Sequence, residues 1–180
     1  MAKIVVLGAG MMGTAITIPL VDNGHILNLV GTHLDCDIIE EIHETRRHPN
    51  LGIVLPASVT PYHHLALGEA MEGADLVMLG VSSLGVEWAA EKLSPLLPAH
   101  VPVVLLSKGL AGDGRVIRLL SEVFRQGLPA GHRNRVHIAA IGGPSIASEL
   151  AVRRQTWVTL TGPDPSWLEE MASLLRTTYY

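Results

Sequence analysis

The scarcities in this chain narrow its class first. It holds a single cysteine, Cys36, among 180 residues. No disulfide can form within the chain, which fits a reducing compartment. No apolar run approaches the roughly eighteen residues that a membrane-spanning helix needs, so no span is expected. The apolar run Ile4–Leu7 breaks at once into Gly8-Ala9-Gly10, too short a stretch for a signal peptide; the expected location is cytoplasmic. Long basic runs are also missing: Arg46-Arg47 and Arg153-Arg154 are isolated pairs, and the net charge is −4. A nucleic-acid surface is therefore not expected. Lysine is reduced to Lys3, Lys92 and Lys108. Histidine is better represented, but His63-His64 and the scattered His25, His33, His43 and His48 lack ligand spacing on a helix face with acids beside them. No metal site is expected. Apolar residues, by contrast, make up 48% of the chain, enough at this length for one sizeable core and against disorder.

Short apolar runs alternate with longer helical patterns. Strands are predicted at Ile4–Leu7, Ile26–Val30, Leu76–Val81, Val103–Leu106, His137–Ile141 and Trp157–Leu160. Helices are predicted at Met11–Asn23, Asp35–His43, Tyr62–Met71, Val86–Leu97, Val116–Arg125, Ser145–Val152 and Ser166–Leu175. Leu51–Pro56 reads as irregular. The continuous apolar strands suit a sheet covered on both faces. Strands separated by helices predict βαβ units, hence an α/β fold with a doubly wound, mainly parallel sheet and helices on both faces. The expectation is one domain, residues 1–180.

Gly8-Ala9-Gly10-Met11-Met12-Gly13 matches GxGxxG. Its context gives it force, because it follows a predicted strand and opens a predicted helix. Gly8 allows a tight turn, Gly10 lets a pyrophosphate approach the backbone, and Gly13 lets helix and strand pack closely. The free N–H groups at the helix start then meet phosphate charge. This is the dinucleotide loop of a Rossmann-type fold. An acid at the end of the second strand would select NAD through the ribose 2′-hydroxyl. The segment here is Val30-Gly31-Thr32-His33, with no acid before Asp35 and no arginine. Thr32 or His33 faces the adenosine ribose in this reading, a plain surface role for His33 is equally open, and both NAD and NADP remain in play. Ser82-Ser83 could border the cofactor as well. Trp88, Trp157 and Trp167 read as packing residues.

Further segments carry a family resemblance. Gly8–Ala15 is similar to the GAGxxGTA opening of glycerol-3-phosphate dehydrogenases, and Asn23-Gly24-His25 resembles their NGH. Val30-Gly31-Thr32 resembles WG-(R/H/T), and His48–Pro56 resembles the (N/H)P-x-L-x-G-x-x-L-P loop. Ser107-Lys108-Gly109-Leu110 matches (S/T)KG(L/I), and Gly143–Glu149 matches GPS-x-A-x-E. The resemblance spans the chain but only the N-terminal half of a family member. Where members often carry aromatics, Met12 and Val30 stand.

The resemblance implies reversible hydride transfer between NAD or NADP and dihydroxyacetone phosphate. By motif match, Gly8, Gly10, Met11, Met12 and Gly13 hold the dinucleotide, and Thr32 lies by its ribose. Lys108 contacts cofactor and substrate, Gly143 and Ser145 line the substrate site, and Ala147 touches the nicotinamide end. The implied partner is a small phosphate substrate, and a homodimer is an expectation from the family. The family's general acid/base lysine and phosphate-clamping arginine lie in a helical C-terminal domain, beyond residue 180. The 180 residues alone are thus expected to bind dinucleotide but to turn over little substrate. Two other readings stand beside this one: another reductase of the 6-phosphogluconate-dehydrogenase-like superfamily, such as one acting on a ketopantoate-type substrate, and a stand-alone dinucleotide-sensing module.

Overall fold

The computed structural model describes residues 1–112 and 114–180. Nine strands are described: β1 (Lys3–Leu7), β2 (Ile26–Val30), β3 (Val59–Tyr62), β4 (Leu76–Leu79), β5 (Val103–Leu105), β6 (Leu110–Gly112), β7 (Ile117–Leu119), β8 (Ile138–Gly142) and β9 (Thr159–Thr161). Between them lie α1 (Met11–Ala15), α2 (Thr17–Asp22), α3 (Cys36–Thr45), α4 (Leu67–Met71), α5 (Val86–Leu93), α6 (Leu120–Gly127), α7 (Ala130–Arg133) and α8 (Ala147–Ala151), and α9 (Pro165–Leu175) follows. Seven strands form one sheet in the order β3-β2-β1-β4-β5-β8-β9. Every pairing in it is parallel except β8 with β9.

Alternate residues of each central strand enter opposite cores, which is why these strands are apolar throughout rather than every second residue. Ile4, Val6, Met78 and Val104 face one layer with Ile16, Leu20, Ile39, Leu150 and Met171. Val5, Leu7, Val77, Leu79 and Val103 face the other, with Ala70, Val86, Leu93 and Phe124. Helices α1, α2, α3, α8 and α9 therefore cover one face, and α4, α5 and α6 the other. The doubly wound, mainly parallel expectation holds.

Local departures have physical causes. The predicted helix Met11–Asn23 is broken at Ile16, because Pro19 has no N–H to give the carbonyl of Ala15. The segment predicted as a helix from Tyr62 begins instead with β3, whose Pro61 pairs in register with Leu29. Proline is accepted there because β3 is an edge strand, with a free side that needs no ladder bond. The predicted helix from Val116 begins at Leu120, where the Glu122 carboxylate accepts the N–H of Leu119 at 3.1 Å. Its first residues instead form a hairpin with β6, pairing Leu110 with Leu119 and Gly112 with Ile117.

The end of α9 and the segment after it return to the turn between α2 and β2. Asn23 Nδ2 donates to the carbonyl of Leu174 at 2.8 Å and to that of Arg176 at 3.1 Å. His25 Nδ1 accepts the N–H of Ala2, which leaves Nε2 to donate to the Leu174 carbonyl at 3.2 Å. Burial holds the His25 imidazole below its ordinary pKa, against the pull of the Leu174 carbonyl. Arg153 grips Asp22 with two bonds, at 2.6 and 2.8 Å, and the Tyr179 hydroxyl donates to the same carboxylate. The hydrogen bond from Arg153 holds the Asp22 carboxyl below the usual range despite desolvation.

Candidate functional site

The chain winds outward from β1 in both directions, so β1 and β4 border the point where strand order reverses. Open α/β sheets bind ligands at the carboxyl ends of strands at such a point. A cavity of about 430 Å³ lies there, lined among others by Gly8, Gly10, Thr32, His33, Asp35 and Trp88.

Its floor is three backbones in contact. Gly8 has φ +111°, and a Cβ on it would lie 2.7 Å from the Gly80 carbonyl carbon. A Cβ on Gly13 would lie 2.0 Å from the Gly8 carbonyl oxygen, and one on Gly80 would lie 2.7 Å from the Gly13 Cα. Gly10 differs: nothing lies within 4 Å of where its Cβ would stand. Protein packing does not demand glycine there, and the loop is open on that side. Helix α1 starts at Met11, and its first N–H groups have no earlier helix carbonyl to pair with. Met12 packs on the core, while Met11 is 42% exposed.

At the end of β2, Thr32 is nearly buried. Its N–H and its hydroxyl both donate to Asp35 Oδ2, each at 2.8 Å. The same oxygen accepts the N–H of Ala9 at 3.2 Å. His33 is exposed and lies tilted beside Trp88, with ring centroids 5.3 Å apart. Beneath the loop, His48 is completely buried. Its Nδ1 accepts the N–H groups of Asn50 and Leu51, so Nε2 carries the proton and donates to the Ala9 carbonyl at 2.9 Å.

Ser82 lines this cavity as well, whereas Lys108, Gly143, Ser145 and Ala147 do not. Lys108 and Gly143 each follow the register pair Leu105–Ala140 of β5 and β8 by the same number of residues. They therefore leave adjacent parallel strands side by side. Ser107 Oγ donates to the Val81 carbonyl at 2.6 Å, tying the loop after β5 to that after β4. Lys108 is exposed and has no hydrogen bond or ion pair among the described residues. Gly143 has φ +127°, and its Cβ would meet the Trp157 carbonyl oxygen at 2.9 Å. The Ser145 hydroxyl oxygen is buried and has no hydrogen-bond partner among the described residues. Ala147 opens α8 and is buried in the core. Among the described residues, no group of three or more His, Cys, Asp or Glu is placed to hold a metal ion.

Four residues of the site were not anticipated: Gly80, Trp88, Asp35 and His48. Gly80 follows a strand, as Gly8 does, which was a readable signal. Trp88 had been read as packing. Asp35 stands in the sequence only as the first acid after the end of the second strand. His48 was visible only as part of its loop, since its partner Ala9 is far away in sequence.

Residues 3–168 match the family described as the NAD-dependent glycerol-3-phosphate dehydrogenase N-terminus. The chain is 37% identical over 176 residues to the NADP(+)-dependent glycerol-3-phosphate dehydrogenase of Archaeoglobus fulgidus, covering 97% of this chain and 51% of that protein. It is 30% identical to glycerol-3-phosphate dehydrogenase [NAD(P)+] of Bacillus velezensis, covering all of this chain and 50% of that one. A crystal structure of glycerol-3-phosphate dehydrogenase from Coxiella burnetii superposes with a TM-score of 0.83 at 26% identity, over 99% of this chain and 52% of that one. The chain thus spans about half the length of the relatives it matches. By the extent of the family match and the agreement of fold, the chain belongs to the NAD-dependent glycerol-3-phosphate dehydrogenase N-terminal family.

Proposed function

We propose that these residues form the dinucleotide-binding half of an NAD(P)-dependent glycerol-3-phosphate dehydrogenase, which interconverts dihydroxyacetone phosphate and sn-glycerol 3-phosphate. The observation that carries this is the loop itself: Gly8, Gly13 and Gly80 are packed backbone to backbone, and Gly10 stays open beside the cavity at the strand-order reversal. Gly8, Gly10, Met11, Met12 and Gly13 would hold the diphosphate at the start of α1, where backbone N–H groups favour negative charge. Thr32 and His33 would border the adenosine ribose. The bound dinucleotide supplies or accepts the hydride. Lys108 would place its ammonium against substrate charge and touch the cofactor. Gly143, whose missing side chain makes room for the Trp157 carbonyl, would line the substrate site through its backbone, and the Ser145 hydroxyl, without a partner among the described residues, would hydrogen-bond the substrate. Ala147 would stand behind the nicotinamide end. The proton donor of the reaction is the family's lysine from the second, helical half. A cytoplasmic location and a homodimer belong to the same reading; the lone Cys36 supports the former.

Trp88 lines the cavity, so tryptophan fluorescence reports its filling. Titration with NADH and with NADPH is expected to quench it saturably. Glycerol 3-phosphate is expected to tighten the oxidised dinucleotide, and Lys108→Ala to abolish that tightening. Absence of quenching, together with absence of heat in calorimetry for either dinucleotide, refutes the assignment. Binding without any effect of glycerol 3-phosphate refutes the substrate part alone.

A further inference from the structure

Asp35 stands in the position from which an aspartate ordinarily caps a helix, immediately before α3, yet it makes no capping bond. Its side chain is turned elsewhere. One oxygen, Oδ2, accepts the Ala9 N–H at 3.2 Å and both the N–H and O–H of Thr32 at 2.8 Å. The carboxylate thus joins the loop after β1 to the end of β2. On the opposite side, His48 Nε2 donates to the Ala9 carbonyl at 2.9 Å. The Thr14 hydroxyl donates to the same carbonyl at 3.1 Å, so both polar groups of one residue are held by side chains, and Asp35 is the one that holds its N–H. Ala9 lies between Gly8 and Gly10, where the backbone has the most freedom to lose on binding. A loop fixed beforehand spares the ligand that ordering cost.

Resting on the dinucleotide reading above, we propose that Asp35 is a positioning residue for the phosphate loop, working against His48 across Ala9, and is not the acceptor for the ribose 2′-hydroxyl. The two roles make opposite predictions. A ribose acceptor discriminates between dinucleotides, because it bonds the 2′-hydroxyl and repels a 2′-phosphate. A brace supports both equally, since NAD and NADP share the diphosphate.

The test measures NADH and NADPH dissociation constants by tryptophan fluorescence for the wild-type chain, Asp35→Asn and Asp35→Ala. Amide hydrogen exchange at Ala9 and thermal melting are recorded alongside. Asp35→Ala is expected to weaken both dinucleotides about tenfold, as the Ala9 N–H loses its partner. Asp35→Asn keeps one carbonyl acceptor and is expected to recover most of that loss. In both variants the NADH-to-NADPH affinity ratio stays within about threefold of wild type. Exchange at Ala9 accelerates in Asp35→Ala by more than the accompanying fall in melting temperature accounts for, a pattern that general destabilisation does not produce. A larger shift of the ratio toward NADPH overturns the proposal, as does unchanged affinity in Asp35→Ala. If the alanine variant does not fold, the ratio in Asp35→Asn decides. Should wild-type protein bind neither dinucleotide, the functional reading fails, and exchange at Ala9 still decides whether Asp35 braces the loop.

Discussion

Replacing Gly13 by alanine sets two effects of known size against each other. Gly13 lies inside α1, where alanine is intrinsically better than glycine by roughly 1 kcal/mol. The new methyl, however, would stand 2.0 Å from the Gly8 carbonyl oxygen. That oxygen belongs to the backbone of a turn itself pressed on Gly80, so it cannot rotate away. The helix must retreat from β1 by more than an ångström, and overpacking of this kind costs about 1–3 kcal/mol or more. Because the clash is with backbone, its cost lies at the upper end of that range, and the net loss is up to about 2 kcal/mol once the propensity gain is subtracted. For a domain of this size that lowers the melting temperature by roughly 4–8 °C. The matched control is Gly68→Ala in α4, whose methyl meets only Leu96 Cδ2, at 3.8 Å. It is expected to stabilise by up to about 1 kcal/mol. Circular-dichroism melts and urea titrations compare the two, and NADH fluorescence follows binding. Gly13→Ala should also lose dinucleotide affinity, because the shifted helix start no longer presents its N–H groups at the loop. A Gly13→Ala protein that melts at or above wild type and still binds NADH refutes the close-packing account.

Other perturbations reach different parts of the chain. His25, whose pKa burial depresses, contributes stability that is present above the ordinary histidine range and lost as pH falls through its lowered folded value. His25→Gln should therefore flatten the decline in melting temperature between about pH 7 and 5. Asp22, depressed by Arg153, contributes above the ordinary aspartate range and loses that contribution at lower pH. Because Arg153 is half exposed, Asp22→Asn should cost under about 1 kcal/mol in urea at pH 7, and the difference should shrink near pH 3. His33→Ala, at an exposed position, should change stability by no more than about 0.5 kcal/mol in the same urea titration.

What the sequence disclosed depended on the range of the forces involved. The glycines at 8, 10 and 13 were legible from their spacing between a strand and a helix, although the contact with Gly80 that Gly8 and Gly13 require forms only in the fold. The parallel sheet was legible because central strands buried on both faces need continuous apolar runs. The strand at Val59–Tyr62 was hidden by Pro61, which argues against a strand until the edge position is known. At Ile117–Leu119 the apolar spacing suits helix and hairpin alike, and only pairing with Leu110–Gly112 decides between them. Asp35 and His48 were illegible as supports for the loop because both act on Ala9 through contacts made only in the finished fold. Lys108 and Gly143 were anticipated from motifs, but their common edge comes from the pairing of β5 with β8.

The hydrogen bonds that join Asp22, Asn23 and His25 to Leu174, Arg176 and Tyr179 bear on how the protein is made. At about 5–20 residues per second, a ribosome that has delivered the first helix works for roughly ten to thirty seconds more before those partners exist. Until then the layer formed by α1, α2, α3 and α8 lacks α9 and its core residues Met171 and Leu175. Chaperone occupancy on stalled chains should therefore persist until residue 179 clears the exit tunnel.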